Sequence, residues 1–486
     1  MKVTPLVIPL AINFLLLGLC FWVCAYLGFF FYKEPLLPWI PAIIIPLLLS
    51  LILYLYRGKQ RKAYISQREI LLTTGISWLL AGIFGSSPYW ILLHCEFSTG
   101  LFESISGLTT TGATTLLNLE CLPKGLLLWR SISQWLGGLG FVVFFVTFLG
   151  THGNFQKRLY LQESTSVEES VSLFHMRKNI AYSLLIYICL TILCALSLSQ
   201  CNVSLFDAVC HALTAVSTGG FSTHSTGIHH FNSFKIEGIL VIFMLLGSIN
   251  FIFLIQVFTQ HGPKLVKNSE FKTYIAVLII ATLSFIVILY PKVYPLLSEA
   301  VRYALFQAVS IGTTTGFHSA NFAAWPNVAV PILLLLMFIG GCTGSTAGGF
   351  KVFRLVALCK ILLTHLEKIF RSNVVRVLKI DGVLWNERKQ LDLLYFFALN
   401  LLVISISVIF LQILMPSIDF LTNVSAIVAS LSNIGPGLTS LIGPDATFVT
   451  FPPSAKILLS ALMLLGRLEI YAILVLLTPK FWKRFD

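Results

Sequence analysis

The sequence predicts an all-α polytopic membrane protein with four tandem membrane–pore–membrane units around one pseudo-fourfold pore, preceded by an N-terminal two-helix hairpin. Of its 486 residues, 57% are hydrophobic and only 11% are charged, whereas soluble proteins carry roughly 25% charged residues. Many apolar runs reach the roughly 20 residues that a helix needs to cross a bilayer. A short segment rich in Thr and Gly recurs four times, at intervals near one hundred residues, which indicates quasi-equivalent units.

The net charge of +13 raises the question of a nucleic-acid partner, but the distribution of the charge argues against one. With the N-terminus inside and the apolar runs alternating, the inside segments hold 25 of the 33 Lys and Arg residues. These segments are 1–2, 57–68, 151–178, 260–272, 351–389 and 479–486. The bias predicts a multi-pass plasma-membrane protein with both termini cytoplasmic. The basic inner surface is also suited to docking a cytoplasmic partner.

The recurring segment divides the chain. Residues 1–67 lack it and are interpreted as an added transmembrane hairpin. The four predicted pore units that follow are 68–150, 151–260, 261–370 and 371–486. In each unit a span is followed by an apolar half-helix too short to cross the membrane, then by a Gly-containing loop and a return span.

Two glycine landmarks repeat in approximate register. The first follows each half-helix, at spacings of 107, 97 and 119 residues: Gly112, Gly219, Gly316 and Gly435. The second lies near the middle of each return span: Gly137, Gly247, Gly340 and Gly466. Two landmarks in four segments argue against chance similarity and against the alternative that these are ordinary outer loops with common turn residues.

The chemistry of the first landmark suits a monovalent cation. Backbone carbonyls at the ends of four half-helices can replace the water shell of such an ion. Glycine allows the backbone conformations that this requires, and threonine adds a hydroxyl acceptor. The predicted ion-binding filter consists of Thr110, Thr111, Gly112, Ser217, Thr218, Gly219, Thr314, Thr315, Gly316, Asn433, Ile434 and Gly435.

The third return span contains an unusual run, GGCTGSTAGGF, with five glycines in eleven residues. A helix would lose up to about 1 kcal/mol for each glycine relative to alanine. The run does not match the phosphate-binding Walker pattern, because Lys351 follows Gly349 with one residue between and is followed by Val352. We predict a flexible intramembrane gate, with a close-packed glycine helix crossing as the alternative. The gate residues are Gly340, Gly341, Gly344, Gly348, Gly349 and Lys351.

Two charged residues fall in the middle of the fourth return span. Arg467 follows the midpoint Gly466, and Glu469 lies two residues further on. Charges at this depth are costly and usually face a cavity or a partner. We therefore predict that Arg467 belongs to the gate, beneath the filter, with a structural Arg467–Glu469 pair as the alternative.

Other residue types indicate little chemistry. The ten cysteines show neither a CxxC pair nor a metal spacing, and a Cys95–Cys121 disulfide is left open. The scattered histidines form no catalytic arrangement, so the chain is not expected to be an enzyme.

At these residues the chain resembles the TrkH/KtrB family of bacterial potassium transporters, related to the plant and fungal Trk/HKT proteins. The resemblance covers nearly the whole chain, and the leading hairpin suits the TrkH branch. The most specific motifs are GLTTTGAT at 107–114, STGGFS at 217–222, TTTGF at 313–317, GGCTGSTAGGFK at 340–351 and GRLE at 466–469.

The resemblance implies potassium uptake across the bacterial inner (plasma) membrane, with K⁺ as the transported ion at the filter residues and no covalently bound cofactor. It implies that the loop of the third unit and Arg467 form the gate, and that Lys351 matches the family's lysine at the end of that loop. Glycine at all four filter positions favours K⁺ over Na⁺. A homodimer and a cytoplasmic TrkA-like nucleotide-binding regulatory subunit are also implied.

A proton- or sodium-coupled secondary cation symporter is the alternative. Inverted repeats and acidic residues at the midplane would support it. The repeats here share one orientation, and the filter segments hold no carboxylate.

Overall fold

The computed structural model describes residues 4–56, 67–138, 140, 173–259, 268–370, 378–381, 383–470, 474, 476 and 478–482. Most of the predicted basic segments at 57–68, 151–178 and 260–272 lie outside the described residues. The second half of the first return span also lies outside them. The positive-inside assignment therefore stays a prediction.

The described residues are almost entirely helical. Their helices are α1 (Thr4–Tyr32), α2 (Ile40–Tyr56), α3 (Gln67–Gly85), α4 (Ser87–Leu93), α5 (Phe97–Leu108), α6 (Lys124–Gly138), α7 (Leu173–Ser199), α8 (Leu205–Val216), α9 (Phe234–Ser248), α10 (Phe251–Thr259), α11 (Ser269–Leu289), α12 (Leu297–Gly312), α13 (Ala329–Ile339), α14 (Val352–Phe370), α15 (Glu387–Leu414), α16 (Phe420–Leu431), α17 (Pro453–Arg467) and α18 (Pro479–Trp482). A short antiparallel hairpin, β1 (Leu378–Ile380) and β2 (Val383–Trp385), separates α14 from α15 and was not predicted from the sequence. Six of the described segments are long and apolar enough to cross a membrane, or seven if the bent pair α9 and α10 is counted as one span.

The N-terminal hairpin packs on the first unit. Helices α1 and α2 run against each other, and α1 also contacts α3 and α6. Glu34, in the turn between α1 and α2, accepts hydrogen bonds from the amides of Lys124 and Gly125. These amides begin α6 and have no acceptor within their own helix, so the carboxylate both satisfies them and complements the helix dipole.

Each unit contains an outer helix, a half-helix and a return helix. The half-helices α5, α8, α12 and α16 have 12, 12, 16 and 12 residues. At about 1.5 Å per residue they measure roughly 18–24 Å, which is shorter than the ~30 Å bilayer core. The prediction of half-helices that do not span is therefore confirmed.

The return helices of units 2, 3 and 4 are interrupted near the middle of the predicted spans, which differs from the continuous spans predicted for units 2 and 4. Helices α9, α13 and α17 end at Ser248, Ile339 and Arg467. In the second unit, α9 and α10 meet at an angle of 101°. In the fourth, α17 gives way to a turn in which Glu469 has a φ of 53°.

The four units are arranged cyclically. The return helix of each unit packs on the half-helix of the next: α6 on α8, α9 on α12, α13 on α16, and α17 back on α5. At the closure between the fourth and first units, the buried rings of Phe102 and Phe448 lie 5.5 Å apart. The Phe448 amide also donates to the Thr114 carbonyl at 2.8 Å. The chain thus has the predicted pseudo-fourfold architecture.

The midpoint glycines allow the two inner helices of a unit to approach closely. An added Cβ at Gly247 would lie 2.5 Å from the carbonyl oxygen of Val216, the last residue of α8. Gly137 and Gly466 abut the last carbonyl of their own half-helices, at Leu108 and Leu431, in the same way. In units 1, 2 and 4 the second landmark is therefore a packing requirement at the end of the half-helix, whereas Gly340 of unit 3 packs against Gly348 and Gly349.

We expect Gly247→Ala to lower the stability of the folded protein by about 1–3 kcal/mol, because its methyl group would overlap a backbone atom. Gly238→Ala is the matched control on the same helix, since nothing lies within 4 Å of its added Cβ. This control should be neutral or stabilising by up to about 1 kcal/mol. The measurement is thermal unfolding of both variants in detergent. An equal loss of stability in the two variants would contradict the packing account.

Candidate functional site

Each half-helix ends in a loop with the same backbone conformation. The first loop residue is left-handed, with φ angles of 55°, 52°, 57° and 55° at Thr110, Thr218, Thr314 and Asn433. A glycine with positive φ follows two residues later: Gly112, Gly220, Gly316 and Gly435. The residue between them donates its amide to the carbonyl five residues earlier, at Thr111, Gly219, Thr315 and Ile434. We call residues 110–112, 218–220, 314–316 and 433–435 ring loops 1 to 4.

The backbone corrects the sequence alignment in the second unit. Gly220, with a φ of 79°, is the equivalent of Gly112, and Gly219 holds the position that is Thr or Ile elsewhere. The predicted triplet of Ser217, Thr218 and Gly219 is therefore shifted by one residue, because Ser217 is the C-terminal cap of α8. Two adjacent glycines made the alignment ambiguous, since their letters do not reveal which one has positive φ.

The four loops touch one another in a closed ring. An added Cβ would overlap or crowd a carbonyl oxygen of the next unit in every case: at Gly112 that of Gly219, at Gly220 that of Thr315, at Gly316 that of Ile434, and at Gly435 that of Thr111. The contacts therefore run through all four units and return to the first. A side chain at these positions would meet both this overlap and an unfavourable φ, which explains why each is glycine.

The ring is buried and rich in oxygen. Its threonines are all buried, and Thr110 and Thr218 each donate a hydroxyl hydrogen bond to the preceding carbonyl at 2.7 Å. Asn433 replaces threonine in ring loop 4 and donates to the Thr111 hydroxyl and the Met463 carbonyl, both at 2.9 Å. Carbonyl and hydroxyl oxygens are the ligands that suit a dehydrated monovalent cation.

Two cavities lie next to the ring. The first, which we call the vestibule, has a volume of about 230 Å³ and is lined by the positive-φ glycines of all four ring loops. The second, the gate cavity, has a volume of about 130 Å³ and is lined by Asn433, Gly348, Lys351 and Arg467. Each can hold several water molecules, since one water needs roughly 10–15 Å³.

Residues 340–351, the gate loop, join α13 to α14 without helical structure, so the alternative of a continuous glycine-rich helix is wrong. Positive φ angles of 70°, 71°, 80° and 80° occur at Gly340, Gly344, Gly349 and Lys351. The Cys342 amide donates to the Ser248 carbonyl at 3.1 Å, and the Thr346 amide donates to the Gly247 carbonyl at 3.2 Å. Both acceptors end α9 and lack partners within that helix.

The gate loop also bonds to the ring. The Gly348 amide donates to the Thr314 hydroxyl at 2.7 Å, and the hydroxyl oxygens of Thr218 and Thr346 lie 3.1 Å apart. Gly341 packs against Ala347 within the loop. Displacing the loop therefore breaks bonds to ring loops 2 and 3.

Arg467 ties three units together. Its guanidinium donates to the Thr346 carbonyl of the gate loop at 2.9 Å and to the Gly138 carbonyl of the first unit at 2.8 Å. It also donates to the Gly137 carbonyl. The last two acceptors are the final two residues of α6 as the structure describes it, so Arg467 of the fourth unit is bonded to the return helix of the first.

The charges around Arg467 differ from the simple pair considered from the sequence. Glu469 forms its ion pair with Arg354 of α14, at 2.6 Å. The Lys351 ammonium donates to the Ala347 carbonyl within the gate loop. The gate cavity is thus lined by three basic side chains and one acidic one, which makes its walls predominantly positive.

Sequence reasoning missed Thr346, which touches ring loop 2, α9 and Arg467 through its backbone and hydroxyl. Among the described contacts, the other threonine of the gate loop, Thr343, lacks these bonds, and its amide donates to Glu270. The available signal was the presence of a polar residue within the glycine run.

In the loops beside the vestibule, the carboxylate of Glu120 in unit 1 contacts Ser225 in unit 2. Partial burial raises the pKa of Glu120, but hydrogen bonds from the Ser225 amide and hydroxyl, both 2.7 Å long, outweigh it and lower this pKa below its usual value. The contact therefore stabilises the fold above the ordinary pKa of a glutamate. This stabilisation is lost as the pH falls through the lowered pKa.

The cysteines and potential metal ligands show no further site. All ten cysteines lie among the described residues and are free thiols, Cys95 and Cys121 included. In the described part of the chain, no group of three or more His, Cys, Asp and Glu side chains could hold a metal ion.

Comparison with known proteins gives consistent results. The family model TrkH, described as a cation transport protein, matches residues 53–297 and 292–484. The Trk system potassium uptake protein TrkH of Escherichia coli K12 is 35% identical over 437 residues, covering 88% of each chain. TrkH of Halomonas elongata is 33% identical over 449 residues, covering 89% of each.

A solved structure is similar over the whole chain. The crystal structure of the potassium transporter TrkH from Vibrio parahaemolyticus matches with a TM-score of 0.88 and 30% identity, covering 99% of this chain and 100% of that one. Together with the family match and the cyclic arrangement of four units, this shows that the chain belongs to the TrkH family of cation transport proteins.

Proposed function

We propose that this chain carries K⁺ into the cell across the plasma membrane, as the ion-translocating subunit of a Trk-type system. The closed ring of four loops, with a cavity against its glycines and a second one at Asn433, is the observation that carries the proposal. Relatives named as potassium uptake proteins support K⁺ as the ion. In this proposal the filter consists of ring loops 1 to 4, and both termini are cytoplasmic.

The gate in this proposal is the gate loop together with Arg467. The loop lies beside the ring, and its bonds to α9, ring loop 2 and ring loop 3 hold it there. Arg467 places a cation in the gate cavity, where it opposes the passage of K⁺ by charge repulsion. Opening requires the loop and Arg467 to release the helix ends that they cap.

The proposal includes a homodimer and a cytoplasmic TrkA-like nucleotide-binding subunit that drives the gate. The name of the Escherichia coli relative, Trk system potassium uptake protein TrkH, supports additional subunits. The basic segment at 351–389 is a candidate surface for such a partner. Cation uptake coupled to protons or sodium is the competing function, and measurements of Rb⁺ flux distinguish the two.

Gly112→Ser is expected to reduce the preference for K⁺ over Na⁺, because an added side chain would displace the Gly219 carbonyl in the ring. The measurement is uptake of radioactive Rb⁺ into K⁺-loaded liposomes containing purified protein, with K⁺, Na⁺ or Li⁺ competing outside. Gly238→Ser is the control for the same exchange at an open position. An unchanged preference in folded Gly112→Ser protein would remove ring loop 1 from the filter.

Arg467→Ala is expected to raise Rb⁺ flux by at least about tenfold, because the closed state loses several hydrogen bonds from a charged group. Arg467→Lys keeps the charge but cannot reach all three carbonyls, so its flux should lie between those of the wild type and Arg467→Ala. Conduction by Arg467→Ala beside a silent wild type would point to a missing regulatory subunit. A flux that needs a proton or sodium gradient and ignores both substitutions would favour the symporter.

A further inference from the structure

We infer that Glu103, Arg130 and Gln134 are positioning residues that set the geometry of ring loop 2 and thereby the preference for K⁺ over Na⁺. The inference rests on the proposed function, since it concerns the selectivity of that same ring. It arises from a group of buried polar side chains that neither the sequence motifs nor the gate explains.

Glu103 and Arg130 form an ion pair behind the ring. The pair is fully enclosed, with exposed side-chain fractions of 0% and 1%, and Arg130 Nε lies 3.4 Å from Glu103 Oε2. Glu103 Oε1 accepts hydrogen bonds from the Thr114 hydroxyl at 2.8 Å and from the Thr115 amide at 2.5 Å. The carboxylate of α5 therefore holds the segment that immediately follows ring loop 1.

Arg130 extends from the first unit to the second. Its guanidinium donates to the Thr114 hydroxyl at 3.1 Å and to the Ser222 carbonyl at 3.3 Å, and it lies 4.0 Å from the centre of the Phe221 ring. Phe221 and Ser222 directly follow ring loop 2. A single buried cation thus fixes the ends of two neighbouring ring loops relative to each other.

Gln134 contacts ring loop 2 itself, one helical turn further along α6. Its amide nitrogen donates to the Gly219 carbonyl at 2.6 Å, and its amide oxygen accepts from the Phe221 amide at 3.0 Å. These two bonds bracket Gly220. The Gln134 side chain also occupies the space that a Cβ at Gly219 would need.

The other three unit boundaries lack these polar groups. Three residues before the midpoint glycine, the return helices have Gln134, Met244, Met337 and Met463, all buried. Seven residues before it they have Arg130, Leu240, Leu333 and Leu459, all buried as well. The ring position beside Gln134 is correspondingly Gly219, whereas it is Thr111, Thr315 and Ile434 in the other loops.

This asymmetry has a consequence for selectivity. The Gly219 carbonyl is also the atom against which Gly112 packs, so Gln134 controls a contact of the ring. Apolar Met and Leu fix neighbouring backbone only by packing, whereas hydrogen bonds and an ion pair specify direction and distance. At the first boundary, side-chain hydrogen bonds and an ion pair of the return helix hold the next ring loop, and removing them should admit ions of a different size.

The test uses two independent changes. Gln134→Met introduces the residue of the other three units and removes both amide bonds. Glu103→Gln with Arg130→Leu removes the ion pair without leaving one buried charge unpaired, which would confound the result by unfolding. The control is Glu237→Gln with Arg302→Leu, which removes an ion pair between units 2 and 3 whose described bonds do not reach the ring.

The measurements are the ratio of K⁺ to Na⁺ competition against Rb⁺ uptake, the maximal uptake rate and the thermal unfolding temperature. We expect both ring-side variants to lower the ratio by roughly tenfold, the scale of one or two lost hydrogen bonds, while uptake persists. The control should keep the wild-type ratio. If the ion-pair variant does not fold, Gln134→Met decides the matter alone.

Two results overturn the inference. One is a folded Gln134→Met protein with the wild-type ratio, and the other is a ratio that falls equally in the control and merely follows the unfolding temperature. The Gly112→Ser variant distinguishes a failure of this inference from a failure of the proposed function. If Gly112→Ser lowers the ratio and Gln134→Met does not, the ring selects ions without these positioning residues. If neither the wild type nor the Arg467→Ala variant takes up Rb⁺, the proposed function itself fails.

Discussion

Interrupted helices at membrane depth leave backbone groups that water cannot satisfy, and each of these groups needs a partner from the protein. Four half-helices and the return helices α9, α13 and α17 end within the described part of this chain. The amides of the ring loops turn back onto the half-helix carbonyls. The carbonyls that end α9 are met by the gate loop, and the Gly137 and Gly138 carbonyls of α6 are met by Arg467. The irregular loops thus satisfy the broken helices, and the broken helices hold the loops.

This arrangement explains why the proposed gate can be both stable and reversible. The gate loop and Arg467 serve as helix caps, and caps can exchange their partners for water in a wet cavity. No covalent or metal link among the described residues holds the loop in place. A partner protein that pulls on α14 would act directly on the gate loop, because Lys351 and Val352 join the two without a break.

The pseudo-fourfold plan is followed closely in the backbone and departed from in the side chains. All four ring loops share their dihedral angles and their hydrogen bonds to the half-helices. Charge is concentrated at particular boundaries: Glu103 and Arg130 at the first, Glu237 and Arg302 at the second, and Arg467 at the fourth. A single chain can differentiate its units in this way, whereas a homotetramer would place every charge four times around the axis.

The sequence by itself determined the membrane class, the number of units, the half-helices and the glycine landmarks, apart from the first landmark of the second unit. These follow from composition, from segment length against bilayer thickness, and from repetition, which are all properties of one segment at a time. Gly112, Gly316, Gly435 and the break after Ile339 could be found in this way. Only the tertiary structure decided that Gly220 rather than Gly219 closes the ring, and that Glu469 pairs with Arg354. It also decided which side chains surround ring loop 2. The reason is physical: positive φ, a shared carbonyl and an ion pair across α5 and α6 depend on neighbours far away in the chain, and their identity is set only when the four units meet.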